Sequence, residues 1–340
     1  MQRLPCSIVP AWHQPPPTFG AKAWSLPGAF TILEILVATT VLSILLILSL
    51  SAISAVSTTW RRSSDKVQSF QGARLAFDAI THNLSQATLN TYLDYDSATS
   101  AQRYLRKSEL MFISDAAGIS PMPGTINTGQ AFFFQAFLGY STNVSYSGME
   151  SLLNPCGYFV SFTTNAAIPA HVAGAGSNPY RYRLMQMLAP AESNAIYGGA
   201  YGATDWFTSS SNSAKPVADN VIALIVRPQD PGAVASDAPN NLYSYNSTLN
   251  ATNNPQPVTA NQLPPVVQVT LVAIDETSAK RLDNGASPPT AITDALGSRF
   301  TDPARYQIDL DALTASLTSN RITYRVLSSA VPIRESKWTK

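Results

Sequence analysis

The chain has 340 residues of which 45% are apolar, enough for a sizeable buried core, while charged residues make up only 13%, about half the share of roughly 25% usual in soluble domains. With 22 Lys and Arg against 21 Asp and Glu, a net charge of +1 and no dense basic block, nothing electrostatic points to nucleic acid or an anionic membrane face as the main partner. The surface is expected to be polar but weakly charged, rich in Ser, Thr and Asn, as at 207–213 and 240–254.

Residues 1–29 come first and are not apolar. They carry Arg3 and Lys22, and the run Pro15-Pro16-Pro17 and the turn-like Pro27-Gly28-Ala29 keep them from joining a helix with the residues after them. From Phe30 to Val56 the sequence FTILEILVATTVLSILLILSLSAISAV has Glu34 as its one ionisable side chain. Ile35 to Val56 alone would span about 33 Å as a helix, enough to cross a hydrocarbon core about 30 Å thick. A transmembrane helix is therefore expected over 30–57. A secretory signal peptide would place its small-residue cleavage site after the apolar stretch, whereas here the turn-like site precedes it.

A small residue, then Phe-Thr-Ile-Leu-Glu, then about twenty apolar residues resembles the N-terminus of type IV pilins and pseudopilins. The resemblance implies that residues 1–29 are a leader cut on the cytoplasmic side before Phe30 by a prepilin peptidase, which then methylates the new amino group. Gly28, Ala29 and Phe30 would form the processing site and Glu34 the assembly residue. Ala29 stands where the family usually has Gly, with Gly28 one place earlier. The implied partners are the prepilin peptidase/methyltransferase, other pilin or pseudopilin subunits and the lipid of the inner membrane. The head would lie in the periplasm or outside. Charge argues the other way, since Arg61, Arg62 and Lys66 on the far flank outnumber Lys22 on the near one.

Glu34 also has a reading independent of the resemblance. A carboxylate one turn into an apolar helix costs a few kcal/mol unless paired, so an intramembrane ionisable group is a functional hypothesis by default. A freed Phe30 ammonium at the membrane edge is its natural partner on a neighbouring subunit, and that pairing would set the axial stagger of an open helical filament.

Beyond the membrane segment, Val67, Phe70, Ala73, Phe77, Ile80 and Leu84 recur at helical spacing, while Arg74, Asp78 and His82 stand at i, i+4 intervals on another face. An amphipathic stalk helix is expected over 58–92. QGARLAFDAITHNLSQATLNTYLDY and the closing RITYRVLSSAVPIRESKWTK are similar to the Verru_Chthon cassette protein C family of pilin-like proteins, over residues 60–96, 218–228 and 321–340.

The region 93–340 reads as a β-rich head. Short β-type runs fall at Leu110–Ser114, Phe132–Leu138, Tyr158–Phe162, Tyr180–Met187, Val221–Val226, Val266–Ile274 and Ile322–Leu327, with a short helix at 308–317 and a long exposed loop at 230–262. The expected fold class is α+β, a long N-terminal helix packed on an antiparallel sheet.

Candidates for catalysis are sparse. Past the leader only His82 and His171 remain, and one thiol, Cys156; a zinc site, a Ser-His-Asp relay or a catalytic thiolate would need partners the sequence does not supply. The acidic pairs Asp94/Asp96 and Asp309/Asp311 lack the neighbours of a dedicated calcium loop. No cofactor, metal or enzymatic activity is expected. Two readings stay open: a minor pilin or pseudopilin of a type II secretion or type IV pilus-like filament, and a membrane-tethered binding or adhesin module that never polymerises, using the 230–262 loop.

Overall fold

A computed structural model describes residues 31–97, 99–100, 102–115, 130–164, 179–198, 205–208, 214–229, 242–253 and 255–336, with backbone alone at 58, 61–69, 115 and 205. The leader, the processing residues Gly28, Ala29 and Phe30, His171 and the first part of the predicted loop at 230–241 lie outside this set. The chain divides into two compact units, residues 1–59 and 60–340.

Helix α1 runs Ile32–Ser85, 54 residues. In the first unit every described side chain from 31 to 57 is exposed, most of them large and aliphatic. The hydroxyls interspersed among them bond back onto the helix's own carbonyls: Thr39 to Leu36 at 3.0 Å, Thr40 to Val37 at 2.8 Å, Ser43 to Thr39 at 2.8 Å and Ser51 to Leu48 at 2.8 Å. Such bonds leave no unmet hydroxyl donor in an apolar medium.

In the second unit the same helix continues with Ala73, Ala76, Phe77, Ile80 and Leu84 buried, which is the expected stripe, and Phe70 partly buried against them. The helix ends at Ser85, short of the expected limit at 92. Tertiary pairing overrides the helical period there: β1 (Ala87–Thr88) pairs antiparallel with β5 (Ala131–Phe137), Ala87 facing Ala136 and Thr88 facing Gln135. The last carbonyl of α1, on Ser85, accepts from the Arg334 N–H at 3.2 Å.

Every described strand pair of the head is antiparallel. β4 (Ile113–Asp115), β5, β6 (Leu153–Thr163), β7 (Arg181–Leu188) and β8 (Ala214–Asp219) lie in that order, with β10 (Tyr245–Asn246) beside β4 and β1 also on β5, making a seven-stranded sheet. β9 (Val221–Pro228), β11 (Val266–Ile274) and β12 (Tyr324–Pro332) form a second sheet in the order β12-β11-β9, and β2 (Tyr92–Tyr95) pairs with β3 (Tyr104–Lys107) as a separate hairpin. Among the described residues four α-helices accompany the sheets: α2 (Asp205–Thr208), α3 (Glu276–Arg281), α4 (Thr290–Leu296) and α5 (Tyr306–Ser319). The long apolar helix and antiparallel sheets agree with the expected α+β class.

Both faces of the large sheet are covered. Phe132 and Phe134 join the main core with α1 and the second sheet, while Phe133 points the other way into a smaller cluster with Phe159, Met187, Trp206 and Phe207. The three consecutive phenylalanines are thus all core, through ordinary strand alternation. Gly157 lies opposite Phe133 on the neighbouring strand, and a Cβ there would come within 2.0 Å of the Phe133 ring.

The predicted exposed loop at 230–262 is corrected over its described part. Tyr243, Tyr245, Ala251 and Ala260 are buried, Asn246 pairs with Ile113, and the Tyr245 hydroxyl donates to the Gln262 carbonyl at 2.8 Å. Its aromatic residues pack, Tyr245 edge-on to Phe112 at 5.7 Å, which polar composition alone concealed.

Candidate functional site

The sequence-derived candidates begin at the N-terminus of α1. Residues 32–57, with a mean hydropathy of 2.5, are long and apolar enough to cross a membrane. Glu34 sits in the first turn of that helix, and its backbone N–H donates to the Thr31 carbonyl at 3.0 Å and to the Thr31 hydroxyl at 3.3 Å. Thr31-Ile32-Leu33-Glu34 therefore has the capping-box spacing, with Thr31 satisfying an otherwise free helix N–H. A carboxylate here also meets the positive end of the helix dipole. Its side chain is exposed.

The residues weighed for catalysis are accounted for by structure. Cys156 is fully buried inside β6 rather than ahead of a strand, and burial pushes its thiol up to about 12, the wrong direction for a nucleophile. It belongs to a network joining helix and sheet: the Tyr158 hydroxyl accepts from Asn83 at 2.8 Å and from Gln186 at 2.9 Å, and the Gln186 amide lies 4.0 Å from the Cys156 sulfur. His82 faces Gln86 on the helix surface at 2.9 Å, one turn from the exposed Arg74–Asp78 pair.

The acidic pairs do not act as pairs. Asp94 bonds Lys107 at 2.7 Å and Asp96 faces Arg103 at 3.4 Å, and both carboxyls are held below their usual range, Asp94 chiefly by Lys107 and Asp96 chiefly by the Gln102 N–H. Asp309 turns inward to accept from the Phe300 N–H at 2.9 Å, while Asp311 takes the Gln307 amide on the helix surface. Among the described residues no group of three His, Cys, Asp or Glu could hold a metal ion.

The head has one feature the sequence reading missed. Arg106 on β3 organises the segment 256–261: its guanidinium donates to the carbonyls of Ala260 at 3.2 Å and Pro257 at 2.8 Å. The Gln256 side chain meanwhile pairs with the Arg106 backbone as a strand would, accepting its N–H at 2.8 Å and donating to its carbonyl at 2.9 Å. Beside this knot lies a groove of about 450 Å³ lined by Leu89, Leu93, Tyr104, Gln262, Leu263 and Glu335 among others. Leu93 is 67% exposed, and Tyr95 and Tyr104 stack at 4.7 Å with their hydroxyls 3.0 Å apart. The signal was present in Tyr92-Leu-Asp-Tyr and Tyr104-Leu-Arg-Lys flanking a Ser-rich turn, which is hairpin spacing.

No family model and no curated protein matches the chain, so the likeness to the cassette protein C family rests on the residues quoted above. Among solved structures, a type IV-like pilin from Thermus thermophilus is similar at 9% identity, over 78% of this chain and 97% of that one, with a TM-score of 0.31.

Proposed function

We propose that the chain is a structural, pilin-like subunit, anchored through residues 30–57 and assembled with other such subunits into a filament. The observation that carries the reading is Glu34, the single ionisable group of a 26-residue apolar helix, standing in its first turn. A plain tether gains nothing from a carboxylate there, whereas a filament subunit can pair it with the terminal ammonium of a neighbour. On this reading prepilin peptidase removes residues 1–29, Phe30 is N-methylated, and the subunit is a minor pilin or pseudopilin of a type II secretion or type IV pilus-like machine. The bulk beyond the membrane segment favours a minor role, since a unit of 281 residues (60–340) is awkward to repeat at every filament step.

The experiment is Glu34→Leu in the native host. Loss of the chain from filament fractions, with membrane retention unchanged, supports assembly through Glu34. Full assembly of Glu34→Leu would remove the reading's main support.

One observation favours the second reading, a non-polymerising membrane-tethered binding module: the groove beside the Tyr95–Tyr104 ledge has the size and mixed lining of a small-molecule site. That reading predicts that Glu34→Leu is neutral and that Tyr104→Ala abolishes function.

A further inference from the structure

Strand edges carry unpaired N–H and C=O groups, and several described edges of this head are occupied or blunted. The outer edge of β9 is occupied along its length: the Leu224 carbonyl accepts from the Gln130 N–H at 3.1 Å, the Val226 N–H donates to the Gln130 side chain at 2.5 Å, and the Pro228 carbonyl accepts from Leu242 at 2.9 Å. On β3 the Gln256 amide fills the edge at Arg106. β8 ends the large sheet with Lys215, Pro216 and a register shift opposite Leu184/Met185, all devices that discourage pairing. β10, at the other end, is only two residues long.

β12 has no register shift and no proline before its last residue, Pro332. It pairs with β11 over nine residues without a bulge, and among the described residues no strand lies on its other side. The Ile333 N–H bonds the Pro265 carbonyl at 2.9 Å and the Thr323 carbonyl accepts from Asp275 at 3.0 Å. By strand alternation, residues 325, 327, 329 and 331 then turn their backbone groups toward β11, and Tyr324, Val326, Ser328 and Ala330 turn theirs outward.

We propose that this edge docks β12 of a second copy of the chain, antiparallel, with Ser328 opposite Ser328 on a two-fold axis. The strand is self-complementary in that register. Ser328 meets its own copy, Val326 meets Ala330, and each of these outward-facing pairs can exchange both backbone bonds. The centre is small, Ser328-Ser329-Ala330, and the strand's only charge, Arg325, falls opposite Val331 rather than opposite itself, which avoids like-charge repulsion. Pro332 ends the pairing because it has no N–H to give. An isologous contact of this kind closes at two copies and is separate from any open filament contact through Glu34.

The test uses the full chain in host membranes, in a Cys6→Ser background that leaves Cys156 buried. Directly opposed Ser328 residues would have Cα atoms about 5.5 Å apart, within reach of a short bismaleimide. Arg325 and its copy would be offset by six residues, about 20 Å at roughly 3.3 Å per residue, beyond the same reagent. Ser328→Cys should therefore give a homodimer by mass, about tenfold or more above Arg325→Cys, since only the Ser328 pair lies within the linker's span. Adding Ala330→Pro, which removes an outward N–H and none of the β11 ladder, should abolish the product while thermal unfolding stays in place. Equal yields from Ser328→Cys and Arg325→Cys, no product from Ser328→Cys, or a product containing a different protein would each overturn the proposal. Cleavage before Phe30, measured by mass on the same samples, reports separately on the pilin-like reading.

Discussion

Gly157→Ala tests the two-faced sheet at its tightest point. The added Cβ would sit 2.0 Å from the Phe133 Cδ1 and 2.5 Å from Cε1, far inside contact distance, so the ring must move. It has no free direction: Phe133 stacks on Phe207 at 4.4 Å and meets Trp206 edge-on at 6.4 Å, all three fully buried. Overpacking of this kind costs about 1–3 kcal/mol, and displacing the ring forfeits part of aromatic pairs worth about 0.5–1.5 kcal/mol each. A total of about 2–4 kcal/mol should lower the head's melting temperature by roughly 4–16 °C, at about 2–4 °C per kcal/mol for a domain of this size. Near-ultraviolet circular dichroism of the full chain in detergent, heated with and without the substitution, reads the shift. Phe133→Leu in the same chain relieves the clash, so the double variant should lose less than the sum of the singles. A Gly157→Ala chain that melts within a degree of the parent, or strictly additive variants, would refute this description of the small core.

Ile80→Ala on the helix stripe, at a fully buried position, should destabilise the head by about 2–5 kcal/mol in urea titration, whereas Leu75→Ala on the exposed face should change little. The single thiol left after loss of Cys6, Cys156, should resist maleimide in the folded chain and react fully in denaturant, because burial both covers it and holds it up to about 12. Glu192, bonded by the Thr142 hydroxyl at 2.6 Å and the Ser141 hydroxyl at 2.9 Å, is held down to about 2, and Asp94, Asp96, Glu109 and Asp283 are also lowered. Folded-state values below the unfolded ones mean a contribution present above about pH 4 and lost as pH falls toward 2, so the urea midpoint should drop across that window, less steeply in Glu192→Gln.

The elements that a one-dimensional pattern specifies were legible. Val266–Ile274 is a strand at the limits its alternation gives, and the stripe Phe70 to Leu84 faces the core as spaced. What failed was set by distant partners. The helix stops at Ser85 because β5 offers Ala87 and Thr88 a ladder, and β6 starts five residues early because Asn154 to Gly157 find partners from Ala136 to Phe133. The last strand runs to Pro332, beyond the expected Leu327, because β11 pairs it that far. The predicted loop at 230–262 looked solvated from its Asn, Ser and Pro content, yet its described part pairs with β4 at Asn246 and is bonded at 257 and 260 by Arg106, about 150 residues earlier in the chain. At the candidate site, sequence alone located Glu34, since a lone charge in an apolar run is a local signal. The groove and the bare β12 edge needed the three-dimensional order of strands.

The most direct test of the pilin-like reading is the intact mass and N-terminal sequence of the protein recovered from membranes of its own host. The expected chain begins at N-methylated Phe30, which places Glu34 fifth from the new terminus. An intact Met1 start, or a cut beyond residue 50, would contradict that reading and leave an anchored head whose Glu34 has no partner to explain it.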